Sequence, residues 1–196
     1  MANGKVIGID LSPEALDFCH ERGLKNVARA SVTDLPFPDS AFDLVTSFDV
    51  LGQLRGEDTD ILAMREMYRV LRPGGIAFVR VAAYEWLRSG HDKALDTQRR
   101  YFLSDVVEKM GQTGFRVRRA TYANSLLLPV AIFRRLILKR IGLADEGSDV
   151  KPLPQSLRWL NRVLTGVLTS EAVLLKHARI KLTAGLSAIC VAEKPL

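Results

Sequence analysis

Asp10 closes the short apolar run Lys5-Val-Ile-Gly-Ile-Asp10-Leu11. An acid at the end of a buried strand can accept hydrogen bonds from both hydroxyls of a ribose. Three more polar or aromatic groups close apolar runs in the same way: the pair Phe48-Asp49, and Tyr84 after Ile76–Ala83. In open α/β sheets ligands bind outside the carboxyl ends of the strands, where the strand order reverses, so these residues are expected to line one crevice. Asp34 opens the segment Asp34-Leu35-Pro36-Phe37 and is a further acceptor. Taken singly, each has a plainer reading: an NAD-binding fold or a surface turn also explains Asp10, a turn explains Asp34, and a core position explains Phe48.

A second group of chemistry-bearing residues follows Tyr84-Glu85-Trp86: Ser89-Gly90-His91-Asp92 and then Arg99-Arg100-Tyr101. His91 is the candidate general base for an acceptor that must lose a proton, and Arg99 and Arg100 are candidates for holding an anionic substrate. The plainer readings are an exposed loop histidine and a charge cluster at a helix start. His20 and His177 lie in helical segments and are given no role. Cys19 and Cys190 sit in apolar stretches without metal-ligand spacing, so they read as small buried hydrophobes of a reduced, intracellular protein.

The elements that must position these groups alternate. Ser12-Pro13-Glu14 supplies a cap, a first-turn proline and an acid, so a helix runs from Pro13 to Arg22 and stops at Gly23. A weaker strand lies near Val27–Ala30, and a β-rich run spans Phe42–Phe48. A helix over Asp58–Leu71 carries Ile61, Met64, Met67, Tyr68 and Leu71 on one side. Its other side carries Arg65, Arg69 and Arg72, expected to be a solvated stripe. Pro73-Gly74-Gly75 ends that helix before a strand at Ile76–Ala83. Beyond an irregular stretch come a helix at Leu103–Gln112, a strand at Phe115–Ala123, helices over 124–141 and 155–176, and a closing strand at Gly185–Glu193. The alternation predicts a doubly wound, mostly parallel α/β sheet in one domain over residues 1–196.

The stretch from Ala30 to Val45, with its acid-Leu-Pro-Phe segment, resembles the class I S-adenosylmethionine-dependent methyltransferases, particularly the small-molecule group. The likeness continues through Phe48-Asp49-Val50-Leu51 and Glu66-Met-Tyr-Arg-Val-Leu-Arg-Pro-Gly-Gly75, covering residues 4 to 83 in order and spacing. The resemblance implies S-adenosylmethionine as cofactor. On it, Asp10 would bind the ribose hydroxyls and Leu11 would pack on the adenine. Asp34 would accept the adenine amino group with Leu35 beside it, and Phe48 and Asp49 would border the methionine half. Residues 1–83 would form part of the cofactor-binding half. Residues 84–196 would form the substrate side, with Tyr84, Arg99, Arg100 and Tyr101 toward the acceptor and a helical insertion at about 124–176.

One departure stands out. The family has a first strand and a glycine-rich turn before the acidic strand, whereas this sequence has Met1-Ala2-Asn3-Gly4 there. The expectation is a truncated domain, impaired as an enzyme, in which the strands at Val6–Leu11 and Phe42–Phe48 flank an open slot about two strand spacings wide, roughly 9.6 Å. Direct pairing of those two strands is the alternative. Free edges of this kind predict self-association. A non-catalytic remnant acting as a binding or membrane-associated module is the second functional reading.

Charge is uneven. Residues 1–114 carry 14 Lys+Arg against 17 Asp+Glu, and residues 115–196 carry 14 against 5. The basic C-terminal part, with Arg134, Arg135, Lys139 and Arg140 after an apolar run, suggests either an interfacial helix touching anionic membrane or a hairpin packed on the sheet. The longest apolar run, Leu126–Phe133, is too short to cross a bilayer, which takes about 20 residues. The expectation is a cytoplasmic protein, with peripheral membrane contact as a further possibility and a small or lipid-like acceptor. A nucleic-acid partner is disfavoured because the basic residues are not interleaved with stacking aromatics. The sequence leaves the oligomeric state open.

Overall fold

Ser12 starts the first helix: its Oγ accepts from the Ala15 amide at 3.1 Å, and Pro13 occupies the first turn, where a missing N–H costs nothing. The computed structural model describes residues 4–133, 158–177 and 180–196. Helix α1 (Pro13–Glu21) links β1 (Gly8–Asp10) to β2 (Val27–Arg29), and the two strands pair in parallel. This β1–α1–β2 unit is thin, with no buried residue between Gly4 and Asp34.

The remaining strands form one sheet in the order β3-β4-β6-β5. Strands β3 (Phe42–Phe48) and β4 (Leu71–Ala82) are parallel, while β6 (Ser187–Glu193) is inserted between β4 and β5 (Arg116–Ala123) and antiparallel to both. Alternate residues Ala77, Val79 and Val81 of β4 and Ala188, Cys190 and Ala192 of β6 are buried on one face. Against that face pack Ala63, Met64 and Met67 of α2 (Thr59–Val70) and Val106 and Met110 of α4 (Leu103–Gln112). Each large side chain buried there stabilises the fold by roughly 1.5–3 kcal/mol. Burial also pushes the Cys190 thiol up to about 12, so it stays a neutral core group.

The helix expected over Asp58–Leu71 stops one residue early, because Leu71 already pairs with Phe42 as the first residue of β4. The ladder then shifts register, resuming at Leu44 opposite Ile76, with Gly74 at φ 77° in the intervening turn. Helices α3 (Gly90–Ala94), α5 (Leu128–Ile132) and α6 (Arg158–His177) complete the described elements. Strand β5 and the following turn anchor α6: the Arg119 guanidinium donates to the Leu175 carbonyl at 2.7 Å, and the Leu126 amide donates to the Glu171 carboxylate at 3.1 Å. Of the helix expected over 124–141, residues 128–132 are helical, while residues 134–157, including Arg134, Arg135, Lys139 and Arg140, lie outside the described residues. No described helix is long and apolar enough to cross a membrane.

Strands β1 and β3 belong to separate sheets, so the direct pairing that would close the slot between them does not occur. Among the described residues β1 pairs with β2 alone and β3 with β4 alone.

Candidate cofactor and acceptor site

Asp10 is the last residue of β1, and its Oδ1 accepts from the Ser12 amide at 2.9 Å, so the serine that caps α1 also fixes this carboxylate. Asp34 closes a tight turn, its amide donating to the Ser31 carbonyl at 3.2 Å. Both residues are exposed, and neither carboxylate has an ion-pair partner among the described residues. One open carboxylate ends β1 and the other lies in the turn after β2; a carboxylate of this kind is an acceptor suited to hydroxyl or amine donors. Leu11 is 56% exposed beside Asp10 and offers an apolar surface to a ring, whereas Leu35 is buried.

The loop carrying Asp34 is locked to α2. The Leu35 amide donates to Glu66 Oε2 at 2.8 Å, and Arg69 donates to the carbonyls of Leu35 at 2.9 Å and Phe37 at 2.8 Å and to Asp39 Oδ1 at 2.8 Å. Arg69 also grips both oxygens of Glu66 at 2.8 Å. Its hydrogen bonds hold the Glu66 carboxyl below the ordinary carboxylate range. The arginine stripe is therefore not simply a solvated face. Arg65 is exposed and Arg72 pairs with Asp43 at the surface, but Arg69 is a structural clamp. The signal for it was the i,i+3 pair Glu66–Arg69, whose targets lie some thirty residues upstream, beyond the reach of helical spacing.

Strands β3 and β4 are followed by residues in unusual backbone conformations: Asp49 at φ 61° and Tyr84 at φ 59°, ψ 110°. A bulky residue there costs on the order of 1–3 kcal/mol, and such strain gathers at functional sites. The Asp49 amide donates to the Arg80 carbonyl at 2.8 Å, and its carboxylate pairs with the Arg80 guanidinium, which lies 5.3 Å from the centre of the Phe48 ring. Phe48 is 53% exposed. The structure thus brings Phe48 and Asp49 together at one strand end, with the Asp49 charge already matched by Arg80. Asp49, Gly52, Ala82, Asp92, Arg100 and Ser187 line a cavity of about 170 Å³ at this end of the sheet. Gly52 is needed there: its carbonyl accepts from the amides of Gln98 and Arg99, and a Cβ would come within 3.0 Å of the Arg99 carbonyl.

The expected acceptor-side residues divide. Tyr84 stacks on Trp86 (5.4 Å between centroids, 29° between planes) and on Tyr122 (5.2 Å, 20°), leaving Trp86 48% exposed at one end of the three rings. Burial and Tyr122 push the Tyr84 phenol up to about 12, so it is neutral at physiological pH and no base. Arg100 donates to both Asp92 oxygens, at 2.7 and 3.1 Å, and to the Ala83 carbonyl at 2.9 Å, with the Arg100 and Asp92 side chains only 4% and 2% exposed. Its guanidinium borders the cavity but is committed to pinning residues 92–100 to the end of β4. Arg99 reaches the Leu54 and Gly56 carbonyls and Asp60. Tyr101 is buried, with its hydroxyl on Asp60. These two residues build the framework of the loop, because the buried Asp60 draws both of them inward. His91 lies in α3, and its side chain is outside the described residues.

Comparison with known proteins bears on the family of the N-terminal segment and on the fold. Residues 1–79 match the family model described as a methyltransferase domain. A demethylmenaquinone methyltransferase of Staphylococcus carnosus is 38% identical over 79 residues, covering 38% of this chain and 32% of that protein. A tRNA (carboxymethyluridine(34)-5-O)-methyltransferase of Xenopus tropicalis is 35% identical over 80 residues, covering 41% of this chain and 13% of that protein. The chain spans about a third of the length of the demethylmenaquinone methyltransferases it matches. Among solved structures, an S-adenosylmethionine-dependent methyltransferase of Archaeoglobus fulgidus superposes with a TM-score of 0.59 at 13% identity, covering 96% of this chain and 75% of that one. The [4+2]-cyclase SpnF superposes with a TM-score of 0.54 at 22% identity, covering 98% and 67%. The architecture is that of the class I S-adenosylmethionine-dependent methyltransferases, a class of enzymes built on a Rossmann-like α/β fold. Within it, this chain carries a methyltransferase-domain segment at residues 1–79.

Proposed function

We propose that the protein transfers a methyl group from S-adenosylmethionine to a small, flat, quinone-like or lipid-like acceptor. The observation that carries this reading is the pair of open carboxylates, Asp10 and Asp34, within the segment that matches a methyltransferase domain. Asp10 takes the ribose hydroxyls, Asp34 the adenine amine, and the exposed Leu11 packs on the base. Phe48 and Asp49 border the methionine half. The bound cofactor supplies an electrophilic methyl on a sulfonium. What the protein must then do is hold the acceptor in line and exclude water.

The acceptor side is the end of the sheet at Tyr84. The three stacked rings end in the half-exposed face of Trp86, and a flat acceptor extends such a stack. A quinone-type acceptor is further supported by the demethylmenaquinone methyltransferases among the similar proteins. Where the acceptor loses a proton, His91 is the proposed base. A lipid-like acceptor also suits peripheral contact with anionic membrane through the basic C-terminal part. Salt-sensitive sedimentation with anionic liposomes tests that contact, and no binding at low ionic strength refutes it.

Incubating the protein with methyl-labelled S-adenosylmethionine and a demethylated naphthoquinol tests the activity. Label in the quinol and an equal amount of S-adenosylhomocysteine are expected. Absence of both at saturating cofactor and acceptor contradicts the proposal.

A further inference from the structure

The β1–α1–β2 unit holds Asp10 and leads into Asp34, yet it has no buried residue of its own, and α1 packs on β1 and β2. Among the described residues neither of its strands pairs with the four-stranded sheet, and the loop that follows β2 is what ties it to the rest of the fold. The chain becomes buried at Leu35, where main-chain donor and acceptor are both captured by one helix: the amide by Glu66 at 2.8 Å, the carbonyl by Arg69 at 2.9 Å. Arg69 extends the grip to the Phe37 carbonyl and to Asp39, and its own carbonyl accepts from the Ser40 amide at 3.0 Å. The bonds made by the Glu66 and Arg69 side chains are charge-assisted, and the forked guanidinium spreads its own over several residues, which fixes orientation as well as distance.

We propose that Glu66 and Arg69 are positioning residues that hold the β1–α1–β2 unit, and with it Asp10 and Asp34, in register with the four-stranded sheet. That those carboxylates face a cofactor rests on the reading above. The clamp touches no ligand and acts through Leu35, the residue next to Asp34. Glu66 and Arg69 therefore govern cofactor affinity and not the chemical step once cofactor is bound. Part of the clamp survives in Glu66→Gln, whose amide oxygen still accepts from the Leu35 amide.

Two readouts on the full chain test this together. In Glu66→Ala and Arg69→Ala, S-adenosylhomocysteine should bind at least about tenfold more weakly, a loss of about 1.4 kcal/mol. The amides of Leu35, Gly8–Asp10 and Val27–Arg29 should exchange with solvent faster while those of β4 and β6 stay protected. Glu66→Gln should recover most of both losses. Adding Asp34→Ala to Glu66→Ala should cost less than Asp34→Ala alone, because the carboxylate is no longer held in place. Unchanged affinity together with unchanged exchange in residues 8–10 and 27–29 overturns the proposal, as does loss of protection spread evenly over both sheets. If an alanine variant does not fold, Arg69→Lys, which lacks the fork that reaches Leu35 and Phe37 together, carries the same comparison. Failure of the wild-type protein to bind S-adenosylhomocysteine removes the cofactor reading alone, since the exchange pattern still decides whether the clamp holds the unit.

Discussion

The Tyr101 hydroxyl donates to the Asp60 carboxylate at 2.9 Å, joining the loop before α4 to the first turn of α2 inside the core. Lys109 adds a second donor at 2.7 Å, and Arg99 stands 3.5 Å away. Burial alone would raise the Asp60 carboxyl, but the hydrogen bonds from Lys109 and Tyr101, and the charges of Lys109 and Arg99, hold it below the ordinary range. Removing the acid leaves Lys109, Arg99 and the buried Tyr101 hydroxyl without their shared acceptor. Asp60→Ala should destabilise the fold by about 3–5 kcal/mol and Tyr101→Phe by about 1 kcal/mol, read from urea unfolding. Equal effects of the two variants would mean that the charge on Asp60 is not what the site balances.

Acid should weaken the Glu66 clamp. The folded protein holds the Glu66 carboxyl below its ordinary value of 4.5, so the unfolded chain takes up the proton first as pH falls. The contribution is intact above about pH 4.5 and fades as pH drops through the lower folded value. The stability difference between wild type and Glu66→Gln should therefore be constant from neutral pH to about 5 and shrink below that. A difference that grows on acidification would contradict the assigned direction.

Trp86 should report on the acceptor. A flat quinone laid on its exposed face should quench indole fluorescence, and Trp86→Leu should raise the acceptor KM about tenfold while leaving S-adenosylhomocysteine affinity unchanged. Equal losses on the cofactor side would move Trp86 out of the acceptor pocket.

Among the described residues one edge of β1 and one edge of β3 carry no partner strand, and these edges should make the chain self-associate. Leu44 and Phe48 on β3, and Val6 just before β1, are exposed apolar residues on or beside strands of the parallel kind, which are ordinarily covered on both faces. Light scattering should show mass rising with concentration, and introducing Leu44→Lys should suppress the rise. A monodisperse monomer at high concentration contradicts this expectation.

Much of the scaffold was legible in the sequence because its signals are local. Ser12-Pro13 and Gly23 bracket α1, and the helix expected at Leu103–Gln112 is α4 with those bounds. Strands β1 and β3 lie in separate sheets, which excludes the direct pairing that was the alternative. What escaped was decided by long-range partners. Arg69 reads as a solvated helix residue until the carbonyls of Leu35 and Phe37 arrive beside it. Arg100 reads as an anion site until the buried Asp92 captures it. Neither partner is within one helical turn, so no periodicity could reveal it. The start of β4 was misplaced for the same reason, because it is the Phe42 ladder that recruits Leu71.

The central claim is that Asp10 and Asp34 hold S-adenosylmethionine, and calorimetric titration of S-adenosylhomocysteine into the wild-type protein, Asp34→Ala and Asp10→Ala tests it most directly. The account predicts one site per chain, weakened by about 1–3 kcal/mol in Asp34→Ala and by at least as much in Asp10→Ala, where two hydroxyls lose their acceptor. Wild-type binding that neither substitution changes would contradict it.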